Sequence, residues 1–411
     1  MSEIKREYAV NKKLASFQIK KNCKIANGKY TKITFTGDVM CKASTLKKAQ
    51  KYDRNFFEVA FKKISKSFQK SDLVISNLET PIAGLDVGFS NIPYSFNAPL
   101  NFAMALKQSG IDLVTTANNH CLDRNLAGLI QTCKNLEKIN LPYVGTRQEK
   151  EPSYYIKEIN GFKIGFVSFT YGTNAHVNNV KLEKEEEYYV DLFQNQENTD
   201  PIINFLTKNN MIILLKILRK LNLFQLRKDI HERMYPSRDK MKKLENALKY
   251  CRNDGADLVF ACLHFGEQNK PIPSDNSKKI ARKAIRFGAD AIIGNHEHVI
   301  QAFQIFKGKP IFYCHGNFYH DGEIKLLNDN GCSILSHFYI DNQTKEIKEI
   351  SFSVCKIKNT EKMTSVIPFT NFDNKNRMLK EEFNKAVSIV LNTNLNELPI
   401  KEEIFIKFES L

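Results

Sequence analysis

Long apolar runs are missing from this 411-residue sequence. The most apolar stretch, Met211 to Leu218, is about half the length that a bilayer-spanning helix needs, and Lys216 interrupts it. The residues before Asn22 contain neither the apolar segment of a secretion signal nor an anchor. Paired cysteines are missing as well. The nine Cys are odd in number, scattered, and include no Cys-x-x-Cys. Together these absences predict a cytoplasmic chain whose thiols are reduced and mostly in the core. No helix-turn-helix, zinc-finger or RNA-binding signature occurs, so no specific nucleic-acid partner is expected. No internal repeat is visible.

Positive charge is in excess. Lys and Arg number 61 against 45 Asp and Glu, leaving a net charge of +16. Such a balance favours polyanions: phosphorylated metabolites, acidic lipid surfaces, polyglutamate. The plainer reading of a Lys-rich surface is solvation. Hydrophobic residues at 42% and charged residues at 26% are ordinary for a globular protein. The length allows one large domain with an appendage, or two domains.

Residues 1–30 are polar and basic and read as a loose arm. From Lys32 to Thr36 the pattern alternates like a strand and runs into Gly37-Asp38. Phe56 to Phe68 shows helical spacing. Leu73 to Ser76 reads as a strand leading into Asn77-Leu78-Glu79, and Ile111 to Thr115 as another leading into Asn118-Asn119-His120. Helices are expected at Phe102–Gln108, Leu126–Lys138 and Asn276–Phe287. A hairpin is expected around Asn160-Gly161, between Ser153–Ile159 and Lys163–Phe169. Strands at Asp257–Leu263, Ala289–Ile293 and Pro310–Cys314 end near His264, His296 and His315-Gly316-Asn317. Ser333–Ile340 and Glu349–Ile357 suit an antiparallel pair. The alternation is α/β. Residues 174–250 interrupt it with an acidic run at Glu183 and Glu185–Glu187. A basic amphipathic stretch, Ile202 to Ile230, then carries Lys216, Arg219, Lys220, Arg227 and Lys228. This reads as a helical insertion over about 175–250, able to rest on a membrane surface or a partner. The residues after 360 read as a tail with a helix at Arg377–Leu391.

The chemistry-bearing residues fall where these strands end. Asp38, Glu79, Asn119, His120, His264, His296 and His298 each close a strand or follow one, and ligands in α/β sheets sit beyond the carboxyl ends of strands. Carboxylates, imidazoles and a carboxamide suit a pair of divalent cations such as Mn, Fe, Zn or Mg, with one carboxylate bridging. A His that is not a ligand can then protonate a leaving group. His-x-His at 296–298 is the sharpest single signal, because alternate residues of an extended chain point the same way.

These blocks resemble the CapA family, linked to poly-γ-glutamate capsule synthesis, a variant of the calcineurin-like metallophosphoesterases. The resemblance rests on Gly37-Asp38-Val39-Met40, Asn77-Leu78-Glu79, Ala117-Asn118-Asn119-His120 with Asp123, and Leu263-His264-Phe265-Gly266. It continues with Gly294-Asn295-His296-Glu297-His298 followed by Gln301, with Gly316-Asn317-Phe318, and with Tyr171-Gly172-Thr173-Asn174. It covers about residues 31–320. It implies a sandwich of two mixed β-sheets flanked by helices, in a domain spanning about 31–360. It also implies one metal on Asp38, Glu79 and His298, and another on Glu79, Asn119, His264 and His296. His120 would be the general acid or an electrostatic stabiliser, and Asn317 would orient substrate or a group behind the ligands. Two positions depart from the pattern. Met40 stands where typical metallophosphoesterases have a His, which leaves the first metal one ligand short. Asn295 stands where CapA-like proteins often have the first His of His-His-x-His.

The resemblance implies a metal-dependent hydrolase acting on an anionic polymer, a peptide or a phosphorylated small molecule. Two other readings fit the same residues. One is metal-independent acid–base chemistry, such as peptide epimerisation. The other is a non-catalytic scaffold of a capsule synthase. Cys41, Cys121 and Cys314 flank the blocks, but neighbouring side chains on a strand point apart. His315 could line the pocket, and Arg124 and Lys270 could meet an anion. His176, His231 and His337 read as ordinary surface or core residues.

Overall fold

The computed structural model describes residues 14–20, 25, 28–52, 56–88, 95–197, 205–206, 211, 213–214, 234–321, 331–395 and 398–407. Two mixed β-sheets lie face to face, with helices on both outer faces. Among the described residues the first sheet has ten strands. Its centre is Tyr30–Val39, which pairs in parallel with Leu73–Leu78; that strand pairs in parallel with Leu113–Thr115. On its other side Tyr30–Val39 pairs antiparallel with Cys332–Asp341, which continues to Ile347–Asn359. The second sheet has six strands among the described residues. In it Phe162–Thr170, Leu258–His264 and Ala291–Asn295 run parallel.

The inward-facing residues are large and apolar, and they interlock. The Phe35 ring lies 5.1 Å from that of Phe260, and Phe260 lies 5.1 Å from Phe338. Ile33, Ile75, Ile164, Phe166, Ile293 and Phe352 complete this shared core. Outside the first sheet, Phe56–Phe68 and Leu100–Gln108 bury Phe57, Phe61, Ile64, Phe102 and Leu106. Outside the second, Arg238–Asn253 and Asp275–Arg286 bury Met241, Leu244, Leu248, Ile280 and Ala284. The layering is α/β, as the strand–helix alternation predicts, and has the sandwich form that the family resemblance implies.

Most expected elements lie within a residue or two of the observed ones, and the hairpin forms as Tyr155–Ile159 and Phe162–Thr170. Differences gather at the ends of the chain. Gln18–Ile19, in the stretch read as a loose arm, pairs with Ile404–Lys407, which itself pairs with Ile347–Asn359. Phe17 packs edge-on to Phe303 at 4.9 Å. The tail adds Thr364–Pro368 to the same sheet besides its helix Arg377–Leu391. The basic stretch from 215 to 233, with His231, lies outside the described residues. Arg238–Asn253, at the end of the expected insertion, packs on the second sheet as one of its covering helices. The acidic run caps and forms a short 3₁₀ turn, Lys184–Tyr189, where Glu187 meets Lys240 at 2.8 Å and Lys243 at 3.0 Å. Among the described residues, no helix is long and apolar enough to cross a membrane.

Candidate metal centre

The parallel strands of both sheets deliver their carboxyl ends to one place. Asp38 lies near the end of Tyr30–Val39, Glu79 follows Leu73–Leu78, and Asn119 and His120 follow Leu113–Thr115. From the second sheet, His264 closes Leu258–His264, and His296 and His298 follow Ala291–Asn295. Asn317 starts a short strand that pairs with Asp38. All eight side chains are buried.

Two glycines permit this convergence. A Cβ on Gly37 would fall 1.9 Å from the Gly316 carbonyl oxygen, and one on Gly294 would fall 1.9 Å from that of Tyr313. The backbone of the His-x-His segment is bent by a different device. His296 has φ 115° and His298 has φ 62°, a left-handed region that non-glycine residues avoid at a cost of about 1–3 kcal/mol each. Turning both residues this way aims two imidazoles at the carboxylates.

The donor atoms form two groups that share Glu79. In one, ligand atoms of Glu79, His264 and His296 lie within 4.8 Å of one another; in the other, those of Asp38, Glu79 and His298 do. Nδ1 of His298 is 3.1 Å from Asp38 Oδ2 and 3.8 Å from Glu79 Oε2. Nε2 of His264 is 3.4 Å from Glu79 Oε1 and 2.7 Å from Asn119 Oδ1. His264 and His296 have ring centres 4.8 Å apart. Burial works to raise the Asp38 carboxyl, but the His298 bond and charge, the His264 charge and the Asn77 amide outweigh it and hold it at about 2. Hard oxygens and imidazoles, buried and convergent, fit one or two divalent cations. Met40 is buried and offers no hard donor, so the Asp38 group offers three side chains that could hold a cation.

His120 stands beside this cluster. Its Nδ1 is 2.7 Å from Asp123 Oδ2, and its Nε2 is 3.9 Å from Glu79 Oε1. Phe96 stacks on its ring at 4.2 Å. Arg124 holds that Phe in place: its Nε donates to the Phe96 carbonyl at 3.1 Å and its Nη2 to Ser95 Oγ at 2.7 Å. It is therefore a buried brace, not a group offered to an anion. Asp123 and Phe96 are functional neighbours to which the sequence motifs assign no role. The spacing of Asp123, three residues after His120, is the signal that points to it; Phe96 has none.

The remaining expected residues fall behind the site. Asn317 Nδ2 donates to the His298 carbonyl at 3.3 Å and so steadies the His-x-His loop. His315 is fully buried between the Gly294 carbonyl at 3.1 Å and Ser336 Oγ at 2.8 Å. Burial pushes it down to about 4, against the pull of the Gly294 carbonyl and Asp38, so it is a neutral strut. Lys270 is exposed. His176 is buried 3.9 Å from Glu197, and His337 lies between Thr34 and Ser353. Cys41, Cys121 and Cys314 are buried free thiols and join neither ligand group. Asn295 is buried.

Residues 32–322 match the family described as bacterial capsule synthesis protein PGA_cap. The capsule biosynthesis protein CapA of Bacillus anthracis is 25% identical over 79% of this chain and 70% of its own length. The PGA biosynthesis protein CapA of Bacillus subtilis is 24% identical over 70% of this chain and 63% of its own. Among solved structures, a phosphatase of Mycoplasma pneumoniae overlaps 79% of this chain and 93% of its own at 17% identity and a TM-score of 0.41, a likeness too loose to bear on this site. The matched segment holds every residue of the two ligand groups and covers most of the sandwich, and the chain belongs to the PGA_cap family of bacterial capsule synthesis proteins.

Proposed function

We propose that this chain is a metal-dependent hydrolase that acts on an anionic substrate in the making or trimming of a capsule polymer, with poly-γ-glutamate the first candidate. One observation carries the reading: two buried ligand groups, each mixing carboxylate and imidazole, share Glu79. Asp38, Glu79 and His298 would hold one cation, and Glu79, Asn119, His264 and His296 the other. Divalent ions so held supply Lewis-acid polarisation of a substrate oxygen and a water whose pKa is brought toward about 7.

The rest is done by side chains. Asp123 accepts the Nδ1 proton of His120 and fixes the ring so that Nε2, the nitrogen that would carry the proton to be donated, faces Glu79. His120 can then give that proton to the departing oxygen or nitrogen. Phe96 shields one face of the ring from water. The net charge of +16 and the capsule family support a polyanion as substrate.

The test uses the purified full-length chain. Elemental analysis should find bound transition metal. Chelation should abolish cleavage of poly-γ-glutamate or of a chromogenic phosphodiester, and added Mn²⁺ or Zn²⁺ should restore it. Full activity in a metal-free preparation would remove the mechanism. Solvent deuterium entering a γ-linked peptide without cleavage would replace it with epimerisation.

A further inference from the structure

We propose that Asn174 and Glu197 are positioning residues that set which atom of Asn119 faces the metal centre, an inference that rests on the metal-binding reading above. Only the oxygen of a carboxamide can ligate a cation; its NH₂ group is a donor. Asn119 must therefore be held one way round. Its Nδ2 donates to Asn174 Oδ1 at 3.2 Å, which turns Oδ1 to within 2.7 Å of His264 Nε2, the face that the centre occupies.

Asn174 is held in turn. It follows the strand Phe162–Thr170 in a tight loop and sits in the left-handed region, φ 54°. One carboxylate grips this loop. Glu197 Oε2 accepts from the Thr173 amide at 3.0 Å and Oε1 accepts from the Asn174 amide at 3.1 Å. Consecutive backbone amides flanking a left-handed residue make an anion-binding concavity. Glu197 fills it from within the protein. Gly172 leaves the room: a Cβ there would lie 2.3 Å from Glu197 Oε1. Asn119, Asn174 and Glu197 are all buried, so water cannot substitute freely for any of these bonds. The chain of contacts runs from Glu197 through the loop amides to Asn174, then to Asn119, and ends at the cluster.

The test compares wild type with Asn174→Ala, Asn174→Asp and Glu197→Gln, each as the full chain. Mn²⁺ is titrated calorimetrically into chelator-stripped protein, and the melting temperature of the stripped protein is recorded. Losing an outer partner of a metal ligand weakens metal binding by about 10–100-fold. That loss is expected for Asn174→Ala and Glu197→Gln. Asn174→Asp keeps an acceptor for the Asn119 amide and should keep wild-type affinity. Melting of metal-free Asn174→Ala should fall, because the buried Asn119 amide loses its acceptor, so affinities are compared well below the melting temperature of each variant. Wild-type affinity in Asn174→Ala, or equal weakening in Asn174→Asp, overturns the proposal. Should wild type itself take up no Mn²⁺, the metal-centre reading fails by itself. A crystal structure of metal-free Asn174→Ala then decides the positioning role. An Asn119 amide turned away from His264 upholds it, and one left in place overturns it. If Glu197→Gln does not fold, the two Asn174 variants still decide between these outcomes.

Discussion

A buried imidazole and its carboxylate divide the labour at the smallest scale. His120 reaches toward Glu79 but belongs to neither ligand group, so its removal should strike turnover and spare metal. His120→Ala is expected to lower kcat by about 10²–10⁴-fold with unchanged metal content by elemental analysis. Asp123→Asn should lower kcat in the same direction. Loss of metal in His120→Ala would make it a ligand instead. Another buried imidazole makes a claim on stability. Burial, with Lys32 and His315 adding to it and Glu403 opposing, pushes His337 down to about 3. The unfolded chain, with an ordinary value of about 6.5, therefore takes up this proton first. The stability that neutral His337 contributes is whole above about pH 6.5 and drains away as pH falls toward 3. Between pH 7 and 5 it should account for about 2 kcal/mol, at about 1.4 kcal/mol per pH unit. Urea midpoints of metal-stripped protein at the two pH values should show that loss. His337→Gln, which can still bond Thr34 and Ser353, should lose less. The metal-ligand residue types were readable because Asp, Glu, Asn and His are costly to bury and here each ended a strand. The orientation of Asn119 was not readable. It depends on Glu197, an isolated acid in a polar stretch that comes close only after the fold has formed.

Elements carry the next level of control, and two glycines show it. A methyl at Gly37 would meet the Gly316 carbonyl, a backbone atom that cannot rotate away. Gly37→Ala must therefore spread the strand bearing Asp38 from the one bearing Asn317. We expect a stability loss of about 1–3 kcal/mol, as for other overpacked sites, and a clear fall in metal affinity. Ser274→Ala is the matched control. Ser274 caps Asp275–Arg286, accepting from the Ser277 amide at 3.0 Å, and its loss costs about 1 kcal/mol without removing a member of either ligand group. Metal titration should be unchanged in it. If Gly37→Ala behaves like Ser274→Ala, strand spacing does not govern the site. Elements with strong internal periodicity were legible: Phe56–Phe68, Arg377–Leu391 and the paired strands after Cys332. Those missed owe their form to partners far along the chain. Ile404–Lys407 is four residues long and becomes a strand by pairing with Phe352 and Ser351. Ala43–Tyr52 is mostly polar, and Leu46 is its one large aliphatic residue. The exact reach of Tyr30–Val39 depends on the segment Asn317–Tyr319, which pairs only with its last residues.

At the scale of the whole molecule, the centre is a joint between two sheets. Asp38, Glu79 and Asn119 come from the first; His264, His296 and His298 come from the second. Cations held across that joint would tie the layers together, and binding only to the folded state would stabilise it by mass action, by about 2.7 kcal/mol at a hundredfold excess over Kd. The converse also holds: whatever sets the distance between the sheets sets the affinity. Phe260 does this, since its ring touches Phe35 and Phe338 of the opposite sheet while its strand carries His264 four residues on. Phe260→Ala should cost about 3–5 kcal/mol and weaken Mn²⁺ binding. A substitution of similar size in an outer layer, Leu248→Ala, lies in a helix that covers the second sheet and should cost about 2–5 kcal/mol with little change in affinity. The comparison separates general loss of stability from loss of registration between the sheets. Equal affinities in the two variants, measured well below their melting temperatures, would mean that each sheet holds its ligands without reference to the other.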